Sequence, residues 1–256
     1  MKTHLDGAVP ALAIFRRSIV GLALAFALAA CASDGTPAPA AKKKITGSYV
    51  RLTSDDGLER LRRSTHKADF QALMTSFTTQ ERQTLCSVAT GVSILNALDI
   101  EKPVDAAYAP HAYFTQRNYF NDAVERIITR EKTLKIGQTL EESARVMATH
   151  GAKTTHYHAA ESSLDEFRDI ARANMGKAGD FVAINYRRNF IGQPPGAHFS
   201  PLAAYDAETD SFLIMDVARY KFPPAWTSAE NLYNAMNTLD SDSGKSRGFI
   251  VVEAGK

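Results

Sequence analysis

The sequence predicts an α+β fold, with helices in the first half of the domain and an antiparallel sheet in the second half. Apolar residues recur at helical spacing after Cys86, and capping residues mark further helix starts downstream. Four short β-rich runs follow within residues 181–253. Helices that precede antiparallel strands are typical of α+β domains and argue against a doubly wound parallel sheet.

The composition excludes several classes of protein. The 256 residues are 45% hydrophobic and 23% charged, which is an ordinary globular balance. With 30 basic and 28 acidic residues the formal net charge is +2, so charge gives no support to nucleic-acid binding. Two cysteines are too few for a disulfide-dense scaffold or a multi-cysteine zinc site. The fold must therefore rest on its own apolar core.

Residues 1–30 are typical of a bacterial export signal peptide. Arg16 and Arg17 precede an uncharged apolar run, residues 19–30, that is too short to span a bilayer. The run ends at Cys31 in the sequence LAAC, which resembles the lipobox of bacterial lipoproteins. We therefore predict that Cys31 is lipidated and becomes the mature N-terminus.

Residues 31–45 are predicted to be a flexible tether, because they are small, Pro-containing and basic and have no apolar period. Ala32 stands where an Asp would retain a lipoprotein at the inner membrane. These features predict a lipoprotein at the periplasmic face of a bacterial membrane, with the outer membrane favoured over the inner. Residues 27–29 also resemble a plain secretory cleavage site, so that alternative stays open. Residues 46–256 are the expected folded domain.

The helices are predicted from apolar spacing and from capping residues. Thr139 and Glu142 form a capping box. Ser163 and Glu166 mark another helix start, and Thr227 is the expected N-cap of the last helix. The predicted helices cover residues 86–98, 118–130, 139–151, 163–175 and 228–237, with short helical pieces within 45–75 and an irregular stretch at 99–117.

The predicted strands are short runs rich in β-branched and aromatic residues. They cover residues 181–186, 199–205, 211–217 and 248–253. Residues 206–210 have the composition of a turn, which predicts a hairpin between the second and third of these strands.

Cys86 is the first candidate for chemistry. If Cys31 is lipidated, Cys86 is the one remaining thiol, in an oxidising compartment. It lies at the predicted start of a helix, where backbone N–H groups and the helix dipole stabilise a thiolate. Gln80 lies six residues earlier, a spacing that lets its amide reach back beside the sulfur as an oxyanion donor.

His198 and Asp216 complete the candidate set. His198 opens the first strand of the predicted hairpin, and Asp216 lies near the end of the second. Paired strands can place them side by side, so that Asp216 fixes the tautomer of His198 and His198 serves Cys86 as base and acid. Cys, His and Asp occur in some order in many chains, so spacing alone leaves structural roles open.

Longer stretches of the sequence resemble phytochelatin synthases. Residues 196–205 (GAHFSPLAAY) and 214–226 (IMDVARYKFPPAW) resemble the family's G-H-F-S-P-I-G-G-Y and D-V-A-R-F-K-Y-P-P-H-W segments. Residues 77–98 resemble its nucleophile segment, and residues 185–193 its N-Y-x-R-x-x-x-G-Q segment. The resemblance extends over residues 48–253.

The resemblance implies a papain-like cysteine protease fold with a Cys-His-Asp triad. By position, Cys86 is the nucleophile, His198 the general base and acid, Asp216 the orienting acid, and Gln80 the oxyanion glutamine. The implied substrate is glutathione, whose Cys–Gly bond is cleaved to leave a γ-glutamylcysteinyl thioester. A second glutathione captures the acyl group to give phytochelatin, with a role in metal detoxification, or water captures it to give γ-glutamylcysteine.

The sequence departs from the family pattern in ways that affect the expected activity. Ser87 and the pair Ala203-Ala204 stand where the family usually has glycine. The sequence lacks the cysteine-rich C-terminal domain of plant enzymes, and short bacterial relatives are associated more with hydrolysis. Glutathione cleavage is therefore expected ahead of peptide transfer.

Arg219 and Lys221 are candidates to bind a substrate carboxylate. No built-in cofactor or metal site is expected, because His156 and His158 have no evident third ligand. Zn or Cd would enter as a thiolate complex of the substrate. The expected partners are glutathione and γ-glutamylcysteine peptides and the membrane, with no nucleic acid, and a homodimer is also considered.

Two other functions compete with this prediction. One is a periplasmic papain-like peptidase of the bacteriocin-processing type, which also has a glutamine before its cysteine. The other is a catalytically silent lipoprotein that binds thiol peptides. The extended match through residues 216–226 argues against the first, and the intact set of four candidate residues argues against the second.

Overall fold

A single antiparallel sheet organises the part of the chain that the computed structural model describes, residues 48–255. Its strands are β1 (Val50–Arg51), β2 (Ala152–His158), β3 (Asp180–Arg187), β4 (Ala197–Asp206), β5 (Ser211–Ile214), β6 (Ala225–Ser228) and β7 (Gly248–Ala254). The order across the sheet is β1-β6-β5-β4-β3-β7-β2, and all neighbours pair antiparallel.

The helices lie before, between and after the strands. They are α1 (Asp55–Arg63), α2 (Ala68–Ser76), α3 (Cys86–Ala97), α4 (Asp122–Glu125), α5 (Arg130–Ile136), α6 (Leu140–Thr149), α7 (Leu164–Met175) and α8 (Ala229–Met236), with short 3₁₀ helices at Ala159–Glu161 and Arg188–Ile191.

The central strands are buried on both faces. In β3, alternate side chains belong to two different apolar clusters. Phe181 and Ala183 belong to an apolar cluster with α2, α3 and α6, whereas Val182 and Ile184 belong to a second cluster with α7 and α8. Successive side chains of a strand point to opposite faces, so the two clusters lie on opposite sides of the sheet. This double coverage explains why residues 181–186 are apolar throughout, without a polar face.

The β4–β5 hairpin carries the candidate histidine and acid. Tyr205 pairs with Phe212 and Asp206 with Ser211 across the turn, and the register shifts between Leu202 and Ala204. The turn residue Asp210 has φ 45°, a left-handed conformation that Asp tolerates better than most residues. The hairpin brings the beginning of β4 level with the segment that follows β5.

The α+β fold class is confirmed, and most elements agree with the sequence predictions. Helix α6 begins after the Thr139–Glu142 capping box, and α3, α7 and the predicted hairpin are present. The single helix predicted at residues 118–130 is wrong. Asn121 and Thr129 each cap a separate short helix, α4 and α5, because each side chain accepts from backbone N–H groups that follow it.

Three further differences concern strands. The N-cap of α8 is Ser228, because Thr227 belongs to strand β6. Strand β5 ends at Ile214, three residues before its predicted end. The sequence analysis did not predict β1, β2 or β6 as sheet strands, because β1 and β6 are short and β2 is a partly exposed edge strand of polar composition.

The signal peptide and the tether predicted within residues 1–45, including Cys31, lie outside the described residues. Residues 48–255 belong to one compact unit by internal contacts. Among residues 48–255, no helix is both long enough and apolar enough to cross a membrane.

Substitution of Gly57 in α1 tests the close contact between this helix and the backbone of Arg51. A Cβ at Gly57 would lie 2.0 Å from the carbonyl oxygen of Arg51, and the Gly57 carbonyl accepts a 3.0 Å hydrogen bond from Trp226 Nε1. A Gly-to-Ala change within a helix usually stabilises. Here we expect Gly57→Ala to lower the free energy of unfolding by about 1–3 kcal/mol, measured by urea denaturation, because the backbone must shift. Leu58→Ala, at an exposed neighbour, should stay within about 1 kcal/mol, and an equal loss in both variants would contradict the explanation.

Candidate active site

Cys86 is the first residue of α3 and is 9% exposed. The helix packs against β4, the strand that contains His198. Its surroundings act on the thiol pKa in opposite directions: burial raises it, whereas His198 and the backbone at Phe199 and Ser87 lower it. A thiolate is thus stabilised by an imidazole on one side and by backbone dipoles on the other.

His198 lies between Cys86 and Asp216. Its Nε2 is 2.9 Å from Asp216 Oδ1, and both side chains are buried. An ionised carboxylate can only accept, so Nε2 carries a proton and donates it to Asp216. Nδ1 is therefore the ring atom that remains for Cys86. The nucleophile at a helix N-terminus and the histidine on the sheet form a papain-like arrangement.

Arg188 is the residue that holds Asp216 from the other side. Its Nη1 lies 2.6 Å from Asp216 Oδ2 and its Nη2 3.0 Å from Oδ1, a bidentate pair inside the protein. Arg188 also donates to Gln193 Oε1, and its guanidinium lies 4.6 Å from the ring centroid of Phe222. Arg188 is not among the predicted site residues, although the N-Y-x-R-x-x-x-G-Q segment includes both Arg188 and Gln193.

Arg188, Asp216, His198 and Cys86 lie in a row, here named the charge line. Their charges shift the pKa of Asp216, His198 and Cys86 in the direction that catalysis needs. Burial raises the pKa of Asp216, but the hydrogen bonds from His198 and Arg188 outweigh it and hold that pKa well below its usual range. Burial lowers the pKa of His198, and its bonds to Asp216 and Cys86 reverse the sign, so the pKa is raised. Burial raises the pKa of Cys86, and His198 more than offsets this, so the net shift is downward. Together these shifts favour a thiolate–imidazolium pair.

Gln80 is held close to the same centre by its backbone. Its N–H donates to Val217 O at 2.9 Å, which links the glutamine segment to the residue after Asp216. Gln116 fixes the flanking residues, because its Nε2 donates to Thr79 O at 2.8 Å and its Oε1 accepts from Glu81 N at 3.0 Å. The structure therefore brings together all four residues of the predicted set: Cys86, His198, Asp216 and Gln80.

Two cavities meet at His198. The first, here named the glutamine-side cavity, has a volume of about 480 Å³ and is lined by residues that include Gln80, Arg188, His198 and Lys221. The second, here named the arginine-side cavity, has a volume of about 270 Å³ and is lined by residues that include Cys86, His198, Asp240 and Arg247. The catalytic candidates thus face two separate spaces, and each space contains at least one basic side chain.

The two predicted carboxylate-binding residues have different positions. Lys221 lines the glutamine-side cavity, and its Nζ donates to Gln83 Oε1 at 3.1 Å. Arg219 lines neither cavity, and its guanidinium lies 5.6 Å from the ring centroid of Phe77. The structure therefore brings Lys221 to the site and leaves Arg219 outside it.

Asp240 and Arg247 are further candidate residues that the sequence analysis missed. Arg247 Nη2 lies 3.5 Å from Asp240 Oδ1, both residues are buried, and Arg247 Nε has no hydrogen-bond partner among the described residues. The signal in the sequence was weak, since both residues stand in a polar stretch without a recognisable motif. Within residues 48–255, no group of three or more His, Cys, Asp or Glu could hold a metal ion.

Comparison with known proteins gives a consistent result. The sequence model of a family described as phytochelatin synthase matches residues 40–249. Glutathione gamma-glutamylcysteinyltransferase 1 of Arabidopsis thaliana is 32% identical over 197 residues, which cover 76% of this chain and 39% of that protein. Glutathione gamma-glutamylcysteinyltransferase of Schizosaccharomyces pombe is 29% identical over 185 residues, which cover 72% of this chain and 43% of that protein. The chain thus spans about two fifths of the length of these curated relatives.

The solved structure of the Pseudomonas avirulence protein AvrPphB also shows similarity. It aligns at 13% identity with a TM-score of 0.31, and the alignment covers 70% of this chain and 97% of that one.

The reactivity of Cys86 should depend on pH in a way that reveals its ion pair. Because the pKa of Cys86 is lowered, we expect its alkylation by iodoacetamide to have a midpoint below the ordinary thiol value of about 8.5. In His198→Ala burial acts without the imidazole, so the midpoint should move above that value. Labelling of a Cys86→Ala protein gives the contribution of Cys31 for subtraction. A midpoint that is the same with and without His198 would contradict the pair.

Removal of Arg188 should destabilise the folded protein, because Asp216 is buried and charged. Arg188→Met leaves Asp216 with one charged partner, so we expect the free energy of unfolding to fall by about 3–5 kcal/mol in urea denaturation. Arg188→Lys keeps the charge but not the bidentate geometry and should be intermediate. Arg62→Met, at an exposed arginine, is the control and should change little. A loss no greater than in this control would show that Asp216 does not depend on Arg188.

Proposed function

The chain belongs to the phytochelatin synthase family, and from this premise we propose that it cleaves the Cys–Gly bond of glutathione through a thioester on Cys86. The observation that carries the proposal is the buried line Cys86–His198–Asp216 with Gln80 beside it. Such a line makes a nucleophile, a proton carrier and an orienting acid available at one point.

The reaction follows from the protonation states of the site. The Cys86 thiolate attacks the carbonyl carbon between cysteine and glycine, and a carbon–sulfur bond forms while the carbonyl oxygen becomes an oxyanion. Gln80 Nε2 and the backbone N–H of Cys86 would be the donors that stabilise that oxyanion. The His198 imidazolium then gives its Nδ1 proton to the glycine nitrogen, the carbon–nitrogen bond breaks, and glycine leaves.

The thioester is resolved by a second nucleophile. Neutral His198 takes a proton from water or from the amine of a second glutathione as that nucleophile attacks the thioester carbonyl. The carbon–sulfur bond breaks and the Cys86 thiolate returns. Water gives γ-glutamylcysteine, and the amine gives a chain that is longer by one γ-glutamylcysteine unit. We place hydrolysis ahead of transfer.

The arginine-side cavity suits the γ-glutamyl end of the substrate. That end carries an α-carboxylate and an α-ammonium on one carbon, and the cavity offers a buried Arg247 next to a buried Asp240. Arg247 would bind the carboxylate and Asp240 the ammonium, which replaces one ion pair by two. Lys221, in the glutamine-side cavity, would bind the glycine carboxylate of the leaving group.

The alternative functions fit the site less well. A bacteriocin-processing peptidase would need space for an extended peptide on the acyl side, whereas the arginine-side cavity is small and carries opposite charges. A silent thiol-peptide binder would have no use for the low thiol pKa that His198 produces. The family membership also argues against both.

The setting of the reaction is also a proposal. Lipidation of Cys31 would tether the domain to the periplasmic face of a bacterial membrane, preferably the outer one. Zn or Cd would act as thiolate complexes of glutathione, which supports a role in metal detoxification. A homodimer would place two such sites on one membrane surface.

A mass-resolved product assay tests the proposed reaction. We expect glutathione to yield glycine and γ-glutamylcysteine with the wild-type protein and neither product with Cys86→Ala. Longer γ-glutamylcysteine polymers, with or without Zn or Cd, would show that a second glutathione competes with water. If Cys86→Ala forms the products equally well, the proposal is wrong.

The two charges of the arginine-side cavity can be tested in the same assay. We expect Arg247→Gln to raise KM for glutathione about 10- to 100-fold, because a charged hydrogen bond contributes about 1.5–3 kcal/mol. Arg82→Gln changes an exposed arginine near Cys86 and should leave KM unchanged. If the Arg247→Gln protein has the wild-type KM, Arg247 does not bind the substrate carboxylate in the arginine-side cavity.

A further inference from the structure

The side-chain amide of Gln80 has one hydrogen-bond partner in the described part of the chain. Its Nε2 donates to the Tyr220 hydroxyl at 2.8 Å, while its Oε1 is buried without a partner among those residues. Gln80 is only 4% exposed, so no contact with bulk solvent fixes the amide plane. The orientation of this amide therefore depends on Tyr220.

Tyr220 reaches Gln80 from a short loop whose backbone and neighbours are held in place. The Lys221 N–H donates to Ala218 O at 2.7 Å, which closes a turn around Tyr220. The side chains on either side of it are occupied, since Arg219 lies over Phe77 and Lys221 donates to Gln83. Tyr220 itself is 57% exposed, so its ring is not part of the buried core.

The chemistry of a carboxamide explains what this contact achieves. The amide nitrogen carries two hydrogens in a fixed plane. When one hydrogen is donated to Tyr220, the plane is fixed and the second hydrogen has a defined direction. Oxyanion donors are effective only when they are already oriented before charge develops.

We propose that Tyr220 is a positioning residue, which acts through Gln80 to orient the oxyanion donor. The inference rests on the proposed function, which names glutathione as the natural substrate. Residue 220 stands where the family segment quoted above has Phe, so the hydroxyl is a departure of this sequence from that segment. The ring is kept in both cases, and the difference is the hydrogen bond alone. The expected effect is therefore moderate.

Tyr220→Phe in the full-length protein is the direct test. We expect kcat for glutathione cleavage to fall about three- to tenfold, the effect of one neutral hydrogen bond, with KM changed less than twofold. Acylation of Cys86 by 4-nitrophenyl acetate, which requires no glutathione binding, should fall by a similar factor. Alkylation by iodoacetamide forms no oxyanion and should keep its rate and its pH midpoint.

Two controls separate positioning from a merely structural effect. In a Gln80→Ala background, Tyr220→Phe should have no further effect on acylation, because the residue it positions is gone. Tyr108→Phe removes a hydroxyl from another half-exposed tyrosine that lines neither cavity and should leave both rates unchanged.

Several outcomes would overturn the proposal. Unchanged acylation in Tyr220→Phe would show that Gln80 is oriented without the hydroxyl, and faster acylation would show that the hydroxyl obstructs the donor. An equal loss in the Gln80→Ala background, or a rise in KM alone, would assign Tyr220 to another task. If the wild-type protein does not cleave glutathione, the proposed function fails, and the 4-nitrophenyl acetate comparison still decides the role of Tyr220.

Discussion

The site depends on a carboxylate that is ionised inside the protein. Asp216 is 2% exposed, and burial alone would raise its pKa and favour the neutral form. Two cationic partners, the bidentate Arg188 and the protonated His198, keep it charged, together with the Ala218 N–H at 2.8 Å. A neutral Asp216 would not stabilise an imidazolium, and without the imidazolium burial would raise the pKa of Cys86. Activation of Cys86 therefore depends on Arg188, although Asp216 and His198 lie between the two residues.

The sheet makes this charge line compatible with a stable core. β4 is central in the sheet and buried along nearly its whole length, so His198 has a fixed backbone and little freedom of side-chain position. The antiparallel neighbour β3 leads directly into the 3₁₀ helix that supplies Arg188, while β5 leads into Asp216. Three consecutive strands thus deliver one charged group each to the same end of the sheet. Helix α3 adds Cys86 from the side, packed against β4.

The sequence allowed a good prediction of the fold class and of the residues that form the line. Local signals were sufficient where the determinant is local, as in the Thr139 capping box and the hairpin turn. Long-range determinants were missed. The pairing of β1 with β6 and of β2 with β7 has no local pattern, and the roles of Arg188 and Asp240 depend on which acid or base lies opposite in space. Arg219 shows the converse, since its position two residues before Lys221 in the sequence does not bring it to either cavity.

The division of the site into two cavities bears on the balance between hydrolysis and transfer. In the proposed mechanism the γ-glutamyl group stays in the arginine-side cavity as the thioester, and departure of glycine empties the glutamine-side cavity. The next nucleophile would enter through that same space, because the acyl group occupies the other cavity and His198 lines both. Water needs no charged partner there, whereas a second glutathione does, and Lys221 would be the available cation. In the proposed mechanism the outcome would therefore be set by how well the glutamine-side cavity retains an amine against water, and not by the triad, which acts on both nucleophiles in the same way.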